Sequence, residues 1–244
     1  MINTVIVIPS YNEEKRLPIR EFDEFILKDR SVKFLIVNEG STDNTLNILK
    51  KLKNHHPDQI NIQHLKKNLG KADAIRNGML ELESKREFKY VGYMDADLAT
   101  PLNQINKLRD VLDRSENISF VFGSRIAKLG SNIKRNTYRH YLGRIVATLI
   151  SMELKLAIYD TQCGLKLFRR EILNTLFMES FKSKWLFDVE LFHRLMRLNS
   201  NISLIAREIP LDTWVEKGNS KITFIDILKI PVELYRIHKN YEKF

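Results

Sequence analysis

The chain has 244 residues, of which 43% are apolar and 29% charged, values that exclude a disordered chain and predict one large α/β domain or two small ones. Its one cysteine, Cys163, excludes an internal disulfide and indicates a reducing compartment. The formal charge of +10 favours an anionic partner, such as a phosphorylated substrate, an anionic membrane surface or nucleic acid, although a lysine-rich background composition explains it about as well.

The first half of the chain alternates predicted strands with predicted helices. The strands are predicted at residues 4–9, 33–37, 60–65, 89–94 and 118–122. Ser41 or Thr42 is expected to cap the helix after the second strand, and Thr100 and Pro101 to begin the helix after the fourth. This alternation predicts a mainly parallel sheet with the strand-end loops along one edge, which forms a nucleotide-sized crevice. The first strand begins too early for a signal peptide to precede it, and no apolar run is long enough to predict a membrane-spanning helix.

Two aspartates, Asp95 and Asp97, follow the strand predicted for residues 89–94. They therefore lie at the carboxyl end of a strand, where open α/β sheets bind ligands. Residues two apart in an extended segment point the same way, so both carboxylates can face one hard cation, Mg²⁺ or Mn²⁺, that bridges substrate phosphates. The alternative is that both are loop carboxylates, one of which caps the following helix.

The second half of the chain is basic and aromatic at residues 132–140. The predicted elements are a helix at 141–156, a strand at 165–168, a helix at 187–198, a strand at 202–209, a loop at 217–221 and a helix at 223–241. No linker-like composition separates the halves, so the sequence predicts one domain with two subregions.

Several motifs, in order along the chain, resemble those of family 2 glycosyltransferases, which have the GT-A fold. In the first half these are VIPSYNEE (7–14), VNEGSTDNT (37–45), NLGKADAIRNG (68–78) and DADLATP (95–101). In the second half, GSR (123–125), DTQCGLKLFRR (160–170), KWLFDVEL (184–191) and GNSK (218–221) resemble the polyprenyl-phosphate branch, above all the dolichyl-phosphate β-glucosyltransferases. The resemblance implies metal-dependent transfer of glucose from UDP-glucose to a polyprenyl phosphate, with inversion at the anomeric carbon.

The resemblance also implies a division of the chain. Residues 1–125 would bind the nucleotide sugar, residues 126–222 the acceptor, and residues 223–244 would form a C-terminal amphipathic helix. The expected donor-binding residues are Pro9, Tyr11, Glu13, Glu39, Lys71, Asp95 and Asp97, with Asp97 binding the metal directly and Asp95 contacting the ribose or the ion. One departure is that Asn38-Glu39 stands where the family usually has Asp-Asp, which puts the identity of the nucleotide in doubt.

Two acceptor chemistries compete. A sugar hydroxyl, as in surface polysaccharide synthesis, needs a general base, for which Asp188 is the candidate. A lipid phosphate is already an anion, so it needs guiding cations instead. The residues expected on the acceptor side are Arg125, Arg135, Arg139, Gln162, Lys166 and Trp185, with Arg125, Asp97 and Asp188 as the catalytic set. Each cation alone is better explained as a surface charge, although the recurrence of cations in the second half supports a joint role. Trp185 is explained equally well as a core residue.

The last helix bears on location. Ile227, Ile230, Leu234, Ile237 and Tyr241 fall near one face, which can lie in a membrane interface or dock against the domain's own core. The expected location is the cytoplasm, with peripheral contact to the cytoplasmic face of a membrane. Two other classes remain open: a basic nucleic-acid-binding module, which no nucleic-acid motif supports, and a catalytically idle protein that binds nucleotide sugars.

Overall fold

The computed structural model describes residues 3–85, 87–218 and 224–241, except for the side chains of residues 139 and 224–228. The strands are β1 (Thr4–Ser10), β2 (Val32–Glu39), β3 (Ile60–Leu65), β4 (Tyr90–Tyr93), β5 (Phe120–Ser124), β6 (Asn132–Lys134), β7 (Lys166–Arg169), β8 (Ala206–Pro210) and β9 (Thr213–Val215). The helices are α1 (Ile19–Lys28), α2 (Thr45–His55), α3 (Lys71–Glu83), α4 (Gln104–Arg114), α5 (Thr137–Leu154), α6 (Leu173–Phe177), α7 (Phe187–Leu198) and α8 (Phe224–Tyr241).

Seven strands form one twisted sheet in the order β3-β2-β1-β4-β7-β5-β8. Every neighbouring pair is parallel except those of β7, which runs antiparallel to both β4 and β5. All seven residues of β1 are buried, as expected for a central strand covered on both faces. The prediction of a mainly parallel α/β sheet is confirmed.

The sheet separates two hydrophobic cores because successive side chains of a strand point to opposite faces. Val5 and Val7 of β1 belong to the core under α3, α5, α6, α7 and α8. Ile6 and Ile8 belong to the core under α1, α2 and α4. The helices after β1, β2 and β4 therefore cover one face, and those of the second half cover the other together with α3.

Two helix starts differ from the sequence prediction. Residues 101–105 make i→i+3 bonds, from Gln104 N to Pro101 O and from Ile105 N to Leu102 O, so α4 begins at Gln104 rather than near Thr100. α2 begins at Thr45, and Asp43 precedes it with a carboxylate oxygen that accepts the Thr45 N–H at 3.0 Å. The predicted capping by Ser41 or Thr42 is wrong, because Asp43 satisfies this donor.

Further differences lie in the second half. The segment predicted as one strand at 202–209 is a 3₁₀ turn, Ile202–Leu204, followed by β8. The short strands β6 and β9 form a separate parallel pair that the sequence did not predict. Ile230, Leu234 and Ile237 of α8 are buried in the core, so this face of α8 docks against the domain. Among residues 3–85, 87–218 and 224–241, no helix combines the length and the apolar character that crossing a bilayer requires.

Candidate active site

A cavity of about 680 Å³ lies where the loops that follow β1, β4 and β5 meet the start of α3, α5 and α7. It brings together eight residues predicted from the sequence: Lys71, Asp95, Asp97, Arg125, Arg135, Gln162, Trp185 and Asp188. Five others with described side chains do not line it: Pro9, Tyr11, Glu13, Glu39 and Lys166. The side chain of Arg139 lies outside the described residues. A crevice at the carboxyl ends of the strands is where this class of sheet binds ligands.

The acidic centre of the cavity consists of Asp95 and Asp97, which follow β4. Asp95 pairs with Lys71, the first residue of α3, at 2.5 Å between Nζ and Oδ1. Leu98 adopts a left-handed φ of 49°, and the adjacent turn lets Asp97 Oδ1 accept the backbone N–H of Ala99 at 3.0 Å. Asp97 is thus partly the loop carboxylate of the alternative prediction, because it accepts a backbone hydrogen bond within its own loop.

The pKa values of the two aspartates are shifted in opposite directions. Desolvation in the cavity would by itself raise the pKa of Asp95, but the positive charges of Lys71, Arg125 and Lys166 together outweigh it and hold this pKa below its ordinary value. Burial raises the pKa of Asp97, and the neighbouring charge of Asp95 raises it further. A proton or a cation next to Asp97 relieves this cost. Asp97 is therefore the carboxylate that gains most from a bound cation.

The residues fit a Mg²⁺ or Mn²⁺ ion that substrate helps to hold. Asp95 and Asp97 offer the hard oxygen donors that these ions prefer. Among the described residues, no group of three or more His, Cys, Asp and Glu side chains is arranged around one ion. Mg²⁺ commonly takes one or two protein carboxylates and fills its other positions with water and phosphate oxygens. The arrangement thus suits an ion that binds together with a diphosphate.

The loops after β1 and β2 are tied to each other beside the cavity. Asn12 has a φ of 51° and accepts the Thr42 N–H at 2.9 Å through its side-chain oxygen. The backbone N–H of Glu13 donates to Thr45 Oγ1 at 2.8 Å. The carboxylate of Glu13 pairs with Arg16 at 2.6 Å, and Arg16 reaches the cavity wall. Glu13 therefore contacts a residue that lines the cavity.

The unusual Asn38-Glu39 pair is buried at the end of β2. Asn38 Nδ2 lies 2.8 Å from His64 Nδ1 on β3, and Asn38 Oδ1 accepts from Ser41 Oγ at 2.6 Å. An amide can donate to an imidazole nitrogen, in the tautomer protonated at Nε2, whereas an ionised carboxylate cannot. The side chain of Asn38 is therefore hydrogen-bonded both to β3 and to the loop after β2.

Two arginines form the basic side of the cavity. Arg125, after β5, holds Asp160 through Nε at 2.6 Å and Nη2 at 2.8 Å. Burial, and then the positive charge of Arg125, lower the pKa of Arg135. A Cβ on Gly143 of α5 would lie 2.5 Å from Arg135 Nη2, so this helical glycine makes room for the guanidinium. Two guanidinium groups that line one cavity, of which Asp160 holds one, favour the binding of an anion there.

Asp188 lies in the first turn of α7 and is almost completely buried. Its Oδ1 accepts from Lys166 Nζ at 2.7 Å and from the hydroxyl of Tyr93. Lys166 is fully buried and also donates to Cys163 O at 2.6 Å. The prediction that Lys166 faces the acceptor is therefore wrong, because this buried lysine is the partner of Asp188. Lys166 and Tyr93 also occupy one carboxylate oxygen of Asp188, the residue expected to act as general base.

The sequence comparison identifies the family. Residues 5–177 match the sequence profile described as Glycosyl transferase family 2. The chain belongs to this family. The glycosyltransferase is also similar to two structures of glucosyl-3-phosphoglycerate synthase from Mycobacterium tuberculosis, which share its GT-A fold. The complex with Mn²⁺, UDP and phosphoglyceric acid has a TM-score of 0.68 at 15% identity and covers 98% of this chain and 78% of that one. The complex with Mn²⁺, UDP-glucose and phosphoglyceric acid has a TM-score of 0.67 at 15% identity, with coverages of 98% and 80%.

Relatives of this glycosyltransferase include dolichyl-phosphate β-glucosyltransferases from three organisms. One from Trichomonas vaginalis is 32% identical over 248 residues, which cover 97% of this chain and 71% of the relative. That of Saccharomyces cerevisiae is 32% identical over 256 residues, with coverages of 97% and 74%. That of Homo sapiens is 29% identical over 236 residues, with coverages of 87% and 72%. The resemblance seen in the sequence motifs, to the family and to this branch, is confirmed.

Some residues at the site of this glycosyltransferase were not assigned from the sequence. Arg16 and Lys184 line the cavity, and Asp160 orients Arg125. Asp160 opens the motif at 160–170, so the motif was a signal that it belongs to the site. Burial raises the pKa of Cys163 to about 11, so its thiol stays protonated at neutral pH, in agreement with a small core residue.

Proposed function

We propose that this glycosyltransferase moves glucose from UDP-glucose to dolichyl phosphate or another polyprenyl phosphate. The names of the relatives support the sugar and the acceptor, and the structural neighbours crystallised with UDP-glucose support the donor. The observation that carries the proposal is the cavity, which has an acidic, cation-ready side at Asp95 and Asp97 and a basic side at Arg125 and Arg135. A diphosphate with its ion and a second phosphate can therefore meet in one cavity.

On the donor side, Asp97 with Asp95 nearby would hold Mg²⁺ or Mn²⁺, and Lys71 would balance the charge of the donor phosphates. The ion, when bound, supplies Lewis-acid stabilisation of the departing diphosphate. Lys71 stays charged because the carboxylates of Asp95, Asp188 and Asp97 together outweigh desolvation and raise its pKa. Tyr11, Glu13, Glu39 and Pro9 remain the residues proposed for the nucleotide, with Arg16 added because it pairs with Glu13 and lines the cavity.

On the acceptor side, Arg125 and Arg135 would hold the lipid phosphate, with Arg139, Gln162 and Trp185 proposed to line its approach. A phosphate oxygen attacks the anomeric carbon as the bond to UDP breaks, so a single displacement inverts that carbon. No proton has to be removed from the acceptor. The engagement of Asp188 by Lys166 and Tyr93 favours this chemistry over a sugar hydroxyl, which would need a free base.

The test is a transfer assay with purified protein, UDP-glucose and a short-chain polyprenyl phosphate, with and without Mg²⁺ or Mn²⁺. Asp97→Asn is expected to lower kcat by at least about 10²-fold, because it removes the carboxylate that holds the ion at the leaving group. Asp110→Asn, at an exposed carboxylate on α4, is the matched control and should keep full activity. Turnover of Asp97→Asn at the wild-type rate, or transfer to free sugars instead of the lipid phosphate, would contradict the proposal.

We further propose that the enzyme works at the cytoplasmic face of a membrane as a peripheral protein. A polyprenyl phosphate has a long apolar tail and is held in a bilayer, so the cavity must approach one. The excess of 40 lysine and arginine residues over 30 aspartate and glutamate residues suits the negative surface of a cytoplasmic leaflet.

A further inference from the structure

One side of α5 presents apolar and aromatic side chains to solvent. Tyr138, Tyr141, Ile145, Leu149 and Met152 are each between 37% and 70% exposed, and we call these five residues the α5 stripe. Their spacing of three or four residues places them along one side of the helix over about 21 Å. Between residues 140 and 154, the exposed positions of α5 carry only apolar side chains, tyrosine and threonine.

The α5 stripe is separate from the core. The side of α5 that faces the protein is already packed, with Ile150 and Leu154 buried and Val146 against the same core. A helix face in contact with water is normally polar, and contiguous exposed apolar patches on soluble domains mark interaction surfaces. The α5 stripe therefore calls for a partner.

The cavity indicates which partner. Tyr138, at one end of the α5 stripe, also lines the cavity, as do Leu142 and Val146 of the same helix. An apolar tail that leaves a phosphate at Arg135 passes Leu142 and Val146 on its way out of the cavity. Lys184 and Lys217 are exposed and line the same cavity, so its rim is positively charged. Apolar and aromatic side chains beside lysines match the boundary between acyl chains and anionic headgroups.

We propose that the α5 stripe inserts into the surface of an anionic lipid bilayer and turns the mouth of the cavity toward it. This rests on the proposed function, since a polyprenyl-phosphate acceptor has to be drawn from a bilayer. The surface differs from the one considered in the sequence, because the apolar face of α8 is used in docking to the core. Tyr138 and Tyr141 lie at the headgroup level, and Ile145, Leu149 and Met152 enter the apolar boundary.

The test measures sedimentation of the full chain with vesicles of phosphatidylcholine and phosphatidylserine. Wild-type protein is expected to sediment, and to do so less at high salt, which screens the lysines. Ile145→Glu and Met152→Glu should each lower the partition coefficient at least about tenfold, because burying one aliphatic side chain contributes that much. Leu27→Glu is the matched control, since Leu27 is 68% exposed on α1, which covers the other face of the sheet. It should bind like wild type.

Two further measurements separate the outcomes. Equal vesicle binding by all four proteins, or no binding by wild type, overturns the proposal. So does a wild-type dimer in sedimentation velocity that Ile145→Glu dissociates without a change in vesicle binding, because the occupant is then a second copy of the chain. Turnover with a water-soluble short-chain acceptor tests the proposed function separately, and Ile145→Glu should retain it, as Ile145 does not line the cavity. Stripe-dependent vesicle binding without any turnover would support the surface and refute the proposed function.

Discussion

The substitution Gly164→Ala tests whether the position of Asp95 matters for catalysis. Gly164 is not among the glycines with a positive φ, so its backbone tolerates alanine and only space is at issue. An added Cβ would meet Asp95 Oδ2 first and would lie 2.6 Å from Asp95 Cγ, where ordinary contacts begin at 3.4 Å, so the carboxylate must retreat by at least about 0.8 Å. The backbone next to Gly164 has little freedom, because Leu165 is buried and its carbonyl accepts the Gly123 N–H at 3.0 Å.

The expected loss is in activity rather than in stability. Displacing a positioned group by nearly 1 Å can lower the rate about 10²-fold, which corresponds to about 2.7 kcal/mol in the activation free energy. The Lys71–Asp95 ion pair is about two-fifths exposed, and ion pairs in contact with solvent contribute at most about 1 kcal/mol to the free energy of unfolding. For a chain of this size, such a loss lowers the melting temperature by only about 2–4 °C.

The assay compares kcat/KM for UDP-glucose with the thermal midpoint of the same preparation. Gly78→Ala is the contrasting variant, because its Cβ would lie 2.6 Å from Val7 Cγ1 in the core. Overpacking of this kind costs about 1–3 kcal/mol of stability, so Gly78→Ala should melt earlier yet turn over normally while folded. Wild-type turnover by Gly164→Ala would refute the reasoning, since Asp95 would then work equally well when displaced.

Two other predictions follow from the buried charges. Lys166→Met removes the ammonium group that is paired with the buried carboxylate of Asp188, so urea unfolding should show a loss of about 3–5 kcal/mol in the free energy of unfolding. An unchanged urea midpoint would contradict the pairing. The rate should fall on the acid side as Asp97 takes up a proton through its raised pKa, because only the ionised carboxylate holds a cation. Lys71→Met removes a positive charge that lowers this pKa, so the acid limb of kcat/KM should move to higher pH. A limb that stays in place in this variant would argue against Asp97 as the titrating group.

The parts of the fold governed by local pattern could be predicted from the sequence. A continuous apolar run made β1 recognisable, and periodic apolar residues gave α7 its observed bounds, Phe187–Leu198. Because parallel strands end at one edge, the loops after them were expected to converge, and Lys71, Asp95, Asp97 and Arg125 do line one cavity. Helix starts were less predictable, because several groups can accept the first backbone N–H groups of a helix. Asp43, rather than Ser41 or Thr42, accepts the Thr45 N–H, and i→i+3 bonds at residues 101–105 delay the start of α4.

The role of Lys166 required the three-dimensional structure. In the sequence it reads as one more cation in a basic half, suited to an acceptor phosphate. Within β7 it alternates with Leu167 and shares a face with Phe168, which belongs to a core. A lysine on such a face must be buried and needs a carboxylate, which α7 supplies through Asp188. The partner comes from a distant element, so the strand pattern could have indicated burial but not the partner.

Helices α5 and α8 show most clearly what packing decides. α8 has its apolar residues on one face, which made it the sequence candidate for membrane contact, yet Ile230, Leu234 and Ile237 are buried against the domain. α5 is apolar on several sides, so its pattern gives no preferred face. The α5 stripe can be recognised only in the packed structure, where the other side of α5 and the apolar face of α8 are buried in the core. The surface proposed for the bilayer is therefore the part of α5 that stays exposed when its other side and the apolar face of α8 pack into the core. Ile145→Glu and Leu27→Glu test it without disturbing that packing.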